Sequence, residues 1–393
     1  MNGTIYMPVG EVCSSISDTY REKKNMVTLI NTSDVLEGRV LNHERVPNSN
    51  LKGQFKKTFQ RDDILYSEIR PQNRRFAYVD FSPIDYIAST KLMVIRAKKD
   101  VVSPKYLYYF LKNSSTVAEL QLLAETRSGT FPQITFSEVA NLTIPVPSLA
   151  VQEVIVQTMQ CLEDKITCNE QINDNLEQQA HSYFQELFVD NASPEWTTGT
   201  ISDLGTVVGG STPSKAKPEY YTESGIAWIT PKDLSINKSK FVSHGENDIT
   251  ELGLKNSSAA IMPEGTVLFS SRAPIGYIAI AAGEVTTNQG FKSVVPKPEI
   301  GTPFVYFFLK NTLPVIEGMA SGSTFKEVSG STMKNAPAVI PDAETLAKFS
   351  DFCAPIFKQQ RTLEEQNQSL AKLRDSLLPK LMSGEIDVSA VQL

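Results

Sequence analysis

Seven basic residues crowd one early stretch of this chain: Lys52, Lys56, Lys57, Arg61, Arg70, Arg74 and Arg75, interleaved with Phe55, Phe59, Tyr66 and Phe76. Lysine and arginine at this density hold phosphate, and an arginine can also address a guanine edge through two parallel hydrogen bonds. A solvated charged surface is the competing reading for any single member. Taken as a group, the cluster points to nucleic acid. The formal net charge of −6 speaks against that, but the acid is unevenly spread. Residues 1–148 carry 19 Lys+Arg against 15 Asp+Glu, whereas residues 149–190 carry 1 against 8. Basic faces therefore remain available outside that acidic segment. With no net positive charge overall, the chain by itself is expected not to hold DNA tightly.

Residues for bond-making chemistry are missing. There is no Gly-x-x-x-x-Gly-Lys-Ser/Thr phosphate loop, no Gly-x-Gly-x-x-Gly and no Asn/Asp-Pro-Pro-aromatic tetrapeptide; Gly-x-Ser-x-Gly and His-Glu-x-x-His are absent too. Ser321-Gly-Ser-Thr324 has the look of a nucleophile loop, but no histidine is near in sequence, and a turn is the better reading. The cysteines Cys13, Cys161, Cys168 and Cys353 form no CxxC pair and the three histidines are scattered, which argues against zinc. Cys161 and Cys168, seven apart, read as reduced structural thiols on one helical face. A binder is expected rather than an enzyme, with no metal and no catalytic residue.

The elements that must position the basic residues are organised by an internal repeat. Tyr106–Asn113 matches Phe304–Asn311 at an offset of 198, and Phe131–Pro147 matches Phe325–Pro341 at an offset of 194. The latter offset also carries Ser182–Phe188 onto Ser376–Met382, and Asp63–Ser67 resembles Thr266–Ser270. Each half reads as a mixed globular lobe followed by one long helix. Short β-rich runs such as Met26–Ile30, Ile64–Tyr66, Leu92–Ile95, Ile226–Ile229, Gly276–Ile280 and Ser293–Val295 lie between turn residues. Helices over 104–112 and 303–310 begin at a proline, which suits a first turn. The expected division is 1–148, a first lobe; 149–190, a central helix; 191–341, a second lobe; and 342–393, a C-terminal helix and tail. The fold class is α+β.

In the helices, apolar positions alternate by four and three: Ile155, Met159, Leu162, Ile166, then Asn169 and Asn173, then Leu176, Ala180, Tyr183 and Leu187. The second helix repeats the pattern with Phe349, Cys353, Ile356, Gln360, Leu363, Asn367, Leu370, Arg374, Leu377 and Leu381. Such spacing is a coiled-coil seam. Roughly 38 residues at ~1.5 Å each make a rod of about 57 Å. Exposed seams are not stable alone in water, so the two helices are expected to pair antiparallel, with Leu162, Ile166, Asn173, Leu176, Ile356, Leu363, Asn367 and Leu370 at the contact. The termini would then approach each other in a pseudo-twofold, nearly circular arrangement. Asn173 and Asn367 hold equivalent seam positions and either fix register or point to water at a bend. Pro355 is expected to mark the start of the second helix, Pro379 to kink its last turns and Gly384 to stop it.

The second half carries Gly209-Gly-Ser-Thr-Pro-Ser214, Ile226-Ala-Trp-Ile-Thr-Pro-Lys-Asp-Leu234, Ser270-Ser-Arg-Ala-Pro-Ile-Gly276 and Thr287-Asn-Gln-Gly-Phe-Lys292. In that order these resemble the target-recognition domains of type I restriction–modification specificity subunits. Leu162-Glu-Asp-Lys-Ile166 with Asn169, Ile172 and Asn173, and Leu377-Leu-Pro-Lys-Leu-Met-Ser-Gly-Glu-Ile386, resemble that family's spacer helices. The first lobe departs from the pattern: it lacks Gly-Gly-Ser-Thr-Pro, although Leu29-Ile-Asn-Thr-Ser-Asp-Val35 can stand where Trp228–Leu234 stands.

The resemblance implies a DNA-recognition subunit in which each lobe reads one half of a bipartite, asymmetric double-stranded site. The helices would set the spacing and dock two methyltransferase subunits. It also implies restriction/translocase subunits as partners, and leaves S-adenosylmethionine and ATP with Mg to the partners, with no cofactor on this chain. In the second lobe Thr212, Lys215, Lys217, Lys232 and Arg272 fall in or beside the matching segments and are its candidate DNA contacts, with structural turns as the alternative. Phe291 and Trp228 read as core. An orphan DNA-binding protein or a protein-binding scaffold is the alternative function. No apolar run reaches membrane-spanning length and the first residues carry no secretion signal, so the cytoplasm is the expected location.

Overall fold

Ile5–Pro8 opens the first lobe and pairs antiparallel with Thr143–Val146 at the lobe's far end, Ile5 opposite Val146. The computed structural model describes residues 4–22, 24–48, 53–126, 132–272, 274–322 and 326–388. After a short helix, Val9–Val12, the chain enters a four-stranded antiparallel sheet in the order Cys13–Ile16, Leu92–Ala97, Ile64–Ser67, Phe76–Tyr78. Alongside it, Met26–Ile30 runs parallel to Tyr86–Ser89. The central strands are rich in Ile, Leu, Val and Tyr and are buried on both faces, so they read as continuous apolar runs without alternation.

The second lobe repeats this plan. Thr197–Thr200 pairs with Pro337–Ile340, a short helix spans Ile201–Leu204, and a five-stranded sheet runs Gly205–Gly209, Lys292–Pro296, Val267–Ser271, Ile275–Ala281, Phe241–Val242. Trp228–Ile229 pairs parallel with Thr286–Thr287, as Met26–Ile30 pairs with Tyr86–Ser89. Individual hydrogen bonds recur. Val9 N–H to Leu142 O (2.9 Å) returns as Ile201 N–H to Ala336 O (3.0 Å), and Lys98 N–H to Val12 O (2.8 Å) returns as Lys297 N–H to Leu204 O (3.0 Å).

Behind each sheet lies an aromatic helix. Pro104–Lys112 buries every residue from Tyr106 to Leu111, and Thr302–Asn311 buries every residue from Phe304 to Leu309. A helix apolar on all sides must be covered on all sides, and the long helices supply the remaining cover. Leu149–Gln185 is one, continued by a π-helical turn over Glu186–Asp190; Ala343–Ser383 is the other. Two compact units result, one of residues 1–166 with 369–393 and one of residues 167–368, so each unit holds one lobe and a part of both long helices. In the first unit Ile155, Val156 and Met159 share a core with Tyr106, Tyr109, Leu378, Leu381 and Met382. In the second, Ala180 and Phe184 share one with Phe307, Phe349 and Cys353.

Within the second unit the helices are antiparallel: Asn169 meets Asn367, Asn173 meets Gln360, and the Tyr183 ring lies 4.5 Å from that of Phe352. Ile356 and Leu363 are buried and Leu176 is half-buried there. Leu162, Ile166 and Leu370, in the first unit, are half-buried. Asn173 and Asn367 do not pair with each other. Asn169, fully buried, donates from Nδ2 to Asn367 Oδ1 at 2.8 Å, whereas Asn173 exchanges weaker bonds with Gln360.

Neither proline breaks the second helix, which runs unbroken through Pro355 and Pro379. Each proline, and the residue four positions before it (Asp351, Asp375), is exposed, so water can satisfy the carbonyl that loses its N–H partner. Gly384, at φ +78°, ends the helix. Cys161 and Cys168 are exposed rather than packed thiols.

A buried ammonium ties the second lobe to its helices. Lys240 Nζ donates to Glu177 Oε2 at 2.8 Å and Gln360 Oε1 at 2.9 Å and lies 3.5 Å from the Phe357 ring centroid. Lys310 donates to Glu177 Oε1 at 2.6 Å, and Glu364 accepts the backbone N–H groups of Lys240 and Phe241. In the first lobe Lys112, the repeat partner of Lys310, donates to Glu163, which also accepts the Tyr109 hydroxyl. Burial pushes the Glu177 carboxyl up, but the two ammoniums outweigh it and hold the group at about 2.

Two outcomes follow. Glu177→Leu leaves the Lys240 ammonium without its carboxylate and should cost about 3–5 kcal/mol in urea unfolding, with much of the loss recovered in Glu177→Leu/Lys240→Leu. Because Glu177 titrates lower in the folded chain than its ordinary 4.5, its stabilisation is complete above that pH and is lost as pH falls toward 2; Glu177→Gln should flatten that part of the stability–pH curve.

Candidate nucleic-acid interface

In the second lobe the strand Trp228–Ile229 ends at Thr230, which caps the helix Pro231–Ile236 through a box closed by Asp233. Asp233 Oδ2 accepts from Thr230 N at 2.7 Å and Thr230 Oγ1 at 2.6 Å, and its other oxygen accepts from Glu246 N. That fixes the turn presenting Lys232. Two further backbone bonds, Ser211 N–H to Thr287 O and Ser271 N–H to Gly290 O, bring the Gly209–Ser214 loop and the end of the strand Val267–Ser271, which Arg272 follows, beside it. Gly210 must be glycine: a Cβ there would lie 2.0 Å from Asn288 O.

These segments enclose a cleft of about 640 Å³. Thr212, Lys215, Lys232 and Arg272 line it together with Asn288 and Gln289; Lys217 lies outside that lining and sits over the Tyr220 ring. The walls mix charges. Lys232 donates to Glu246 at 2.5 Å, which raises the lysine's pKa. Arg272 lies 3.5 Å from Glu327. Thr212 donates to the Gln289 side chain. Phe291 is buried in the core, and Trp228, also buried, lends one face to the cleft while its Nε1–H donates to Ser211 O. Such exposed ion pairs contribute little to stability and can exchange partners with a ligand. The arrangement can grip phosphate and present amide, ammonium and guanidinium groups to base edges.

Among the described residues, three members of the first-lobe cluster are engaged within their own lobe. Lys52 lies outside the described residues. Lys57 spends its ammonium on the carbonyls of Thr90 (3.1 Å) and Leu92 (2.8 Å), and burial pushes its pKa down. Arg74 donates to Ser114 Oγ at 2.9 Å, and Arg75 to Ser33 O at 3.0 Å. Those three brace the lobe. Lys56, Arg61 and Arg70 are exposed. Charge density in the sequence could not mark out the bracing residues, because the oxygens that accept from them leave no mark in composition. Nor could it single out Asn288 and Gln289, which carry no charge.

The Type I restriction modification DNA specificity domain matches this chain twice, over residues 6–178 and 194–372. The HindI specificity subunit of a type I restriction enzyme from Haemophilus influenzae is 29% identical across 92% of this chain and 94% of its own length. The MjaIX specificity subunit from Methanocaldococcus jannaschii is 38% identical over 48% of this chain and 44% of its own, and the EcoR124I/EcoR124II specificity subunit from Escherichia coli is 26% identical over 77% and 70%. Among solved structures, the type I restriction-modification system S subunit from M. genitalium shares the fold at a TM-score of 0.56 and 17% identity, over 97% of this chain and 96% of that one. Two domain matches that together span most of the sequence, laid over two lobes of one plan, show that the chain belongs to the type I restriction modification DNA specificity family.

Proposed function

We propose that this chain is the sequence-reading subunit of a type I restriction–modification complex, in which each lobe reads one half of a bipartite asymmetric double-stranded DNA site. The observation that carries the reading is one backbone plan used twice with different side chains at the same places. Two like frames with unlike contact groups suit a split site whose halves differ. The long helices set the spacing between the half-sites and dock two methyltransferase subunits, and restriction/translocase subunits join the assembly. Methylation and cleavage, with S-adenosylmethionine and ATP/Mg, belong to those partners, and the chain works in the cytoplasm. Among the described residues no helix is long and apolar enough to cross a membrane, and no group of three or more His, Cys, Asp or Glu side chains could hold a metal ion.

The balance of charge is consistent with a subunit that relies on partners for affinity. Few phosphate contacts from this chain would give a shallow salt dependence alone and a steeper one in the complex. Lys232→Ala/Arg272→Ala should lower specific binding by the assembled complex and reduce the log–log salt slope by about one per lost phosphate contact. An unchanged slope would take the cleft off the DNA. The role itself is tested by mapping methylated adenine in a host that carries the partner genes, with and without this gene. A bipartite motif that vanishes on deletion is expected; methylation indifferent to the gene would refute the proposal.

A further inference from the structure

The second-lobe cleft can be traced, bond by bond, onto the first lobe. Capping box Thr230/Asp233 corresponds to Asn31/Asp34: Thr230 N–H to Asp233 Oδ2 and Asn31 N–H to Asp34 Oδ2 are both 2.7 Å. Trp228 and Ile229 lie opposite Thr286 and Thr287 in parallel pairing, and Leu29 and Ile30 lie opposite Ile87 and Ala88 in the same way. Ser271 N–H to Gly290 O (2.7 Å) becomes Glu68 N–H to Lys91 O (3.0 Å). Val328 N–H to Ser271 O (3.0 Å) becomes Ile134 N–H to Glu68 O (2.8 Å). Gly276, at φ +93°, becomes Arg74, at φ +51°.

These bonds assign a counterpart to four of the lining residues: Lys232 corresponds to Ser33, Arg272 to Ile69, Gln289 to Thr90 and Gly290 to Lys91. Ser271, buried behind the lining and one residue before Arg272, corresponds to Glu68. Arg74 and Arg75 correspond to Gly276 and Tyr277, which do not line the cleft. Where the second lobe has a serine and a glycine, the first has an ion pair: Lys91 Nζ to Glu68 Oε2 at 3.4 Å, with the lysine side chain half exposed. Ser33 is exposed beside it in the frame.

We infer that the first lobe addresses its half-site through Ser33, Thr90, Lys91 and the Glu68 carboxylate paired with that lysine, and that Lys57, Arg74 and Arg75 hold the lobe together instead. This rests on the reading of the second-lobe cleft as a DNA contact. The ligand is the major-groove edge of duplex DNA. Lys91 offers a cationic donor suited to guanine O6 and N7, and Glu68 a carboxylate suited to cytosine N4–H, so together they match a G·C pair.

Replacing the pair with the other lobe's residues, Glu68→Ser/Lys91→Gly, keeps the backbone bond between these positions. The variant is expressed as the full chain with its methyltransferase partner, and methylated sites are mapped beside those of wild type and of Arg272→Ile. The first half-site should lose its preference at one G·C position, with discrimination there falling roughly tenfold, while the second half-site is unchanged and the complex purifies at normal yield. Arg272→Ile should alter only the second half-site. If Arg272→Ile changes its half-site and Glu68→Ser/Lys91→Gly leaves both halves intact, the inference is overturned and the parent reading stands. If neither variant changes any position although wild type methylates a bipartite motif, the cleft is not the DNA contact and both fall.

Discussion

An aromatic helix with no polar face is the constraint on which each unit depends. Tyr106–Leu111 and Phe304–Leu309 cannot meet water on any side, and a lobe's own sheet covers only part of such a helix. The long helices complete the cover, and so a lobe and its stretch of helix form one core. Burial alone is non-directional. Orientation comes from the charged contacts at the edge of that core: Lys240 and Lys310 on Glu177 in one unit, Lys112 with Tyr109 on Glu163 in the other. The repeated lysines find their carboxylates on the same long helix, Leu149–Gln185, each glutamate one residue beyond a seam leucine.

The larger features were legible in the sequence because they leave periodic marks. A four–three spacing announced the long helices, and a proline at position 104 announced a helix that the structure starts at that residue. Met26–Ile30 is a strand over those five residues. Leu29–Val35 does stand where Trp228–Leu234 stands, down to the capping box. Misreadings came where solvent decides. Pro355 is expected to start the second helix and Pro379 to kink its last turns, yet the helix begins at Ala343 and runs through both, at exposed sites where water can replace the lost partner. Asn173 and Asn367 are expected either to fix register or to point to water at a bend, and the structure puts Asn169, not Asn173, beside Asn367.

For the site, spacing and composition identified positive charge but not its employment. An arginine that holds two loops of its own lobe and one that waits for a ligand are the same letter. The cleft in the second lobe was nearer to hand because its four lining candidates sit in short segments with glycine, serine and threonine. Their convergence depends on long-range bonds such as Ser211 N–H to Thr287 O, which no local pattern encodes. Comparing the lobes supplies what a single sequence withholds, since each serves as the reference for the other.

The prolines of the second long helix have one more consequence. Proline has no N–H to donate, so within this helix the main-chain oxygens of Asp351 and Asp375, both exposed residues, lack the usual partner four positions on. Covering such an oxygen with hydrocarbon costs about 1–3 kcal/mol. A protein that covers either position must therefore offer a donor there, from arginine, glutamine or an ordered solvent molecule. Each of these places thus turns away a purely greasy surface and admits a polar one.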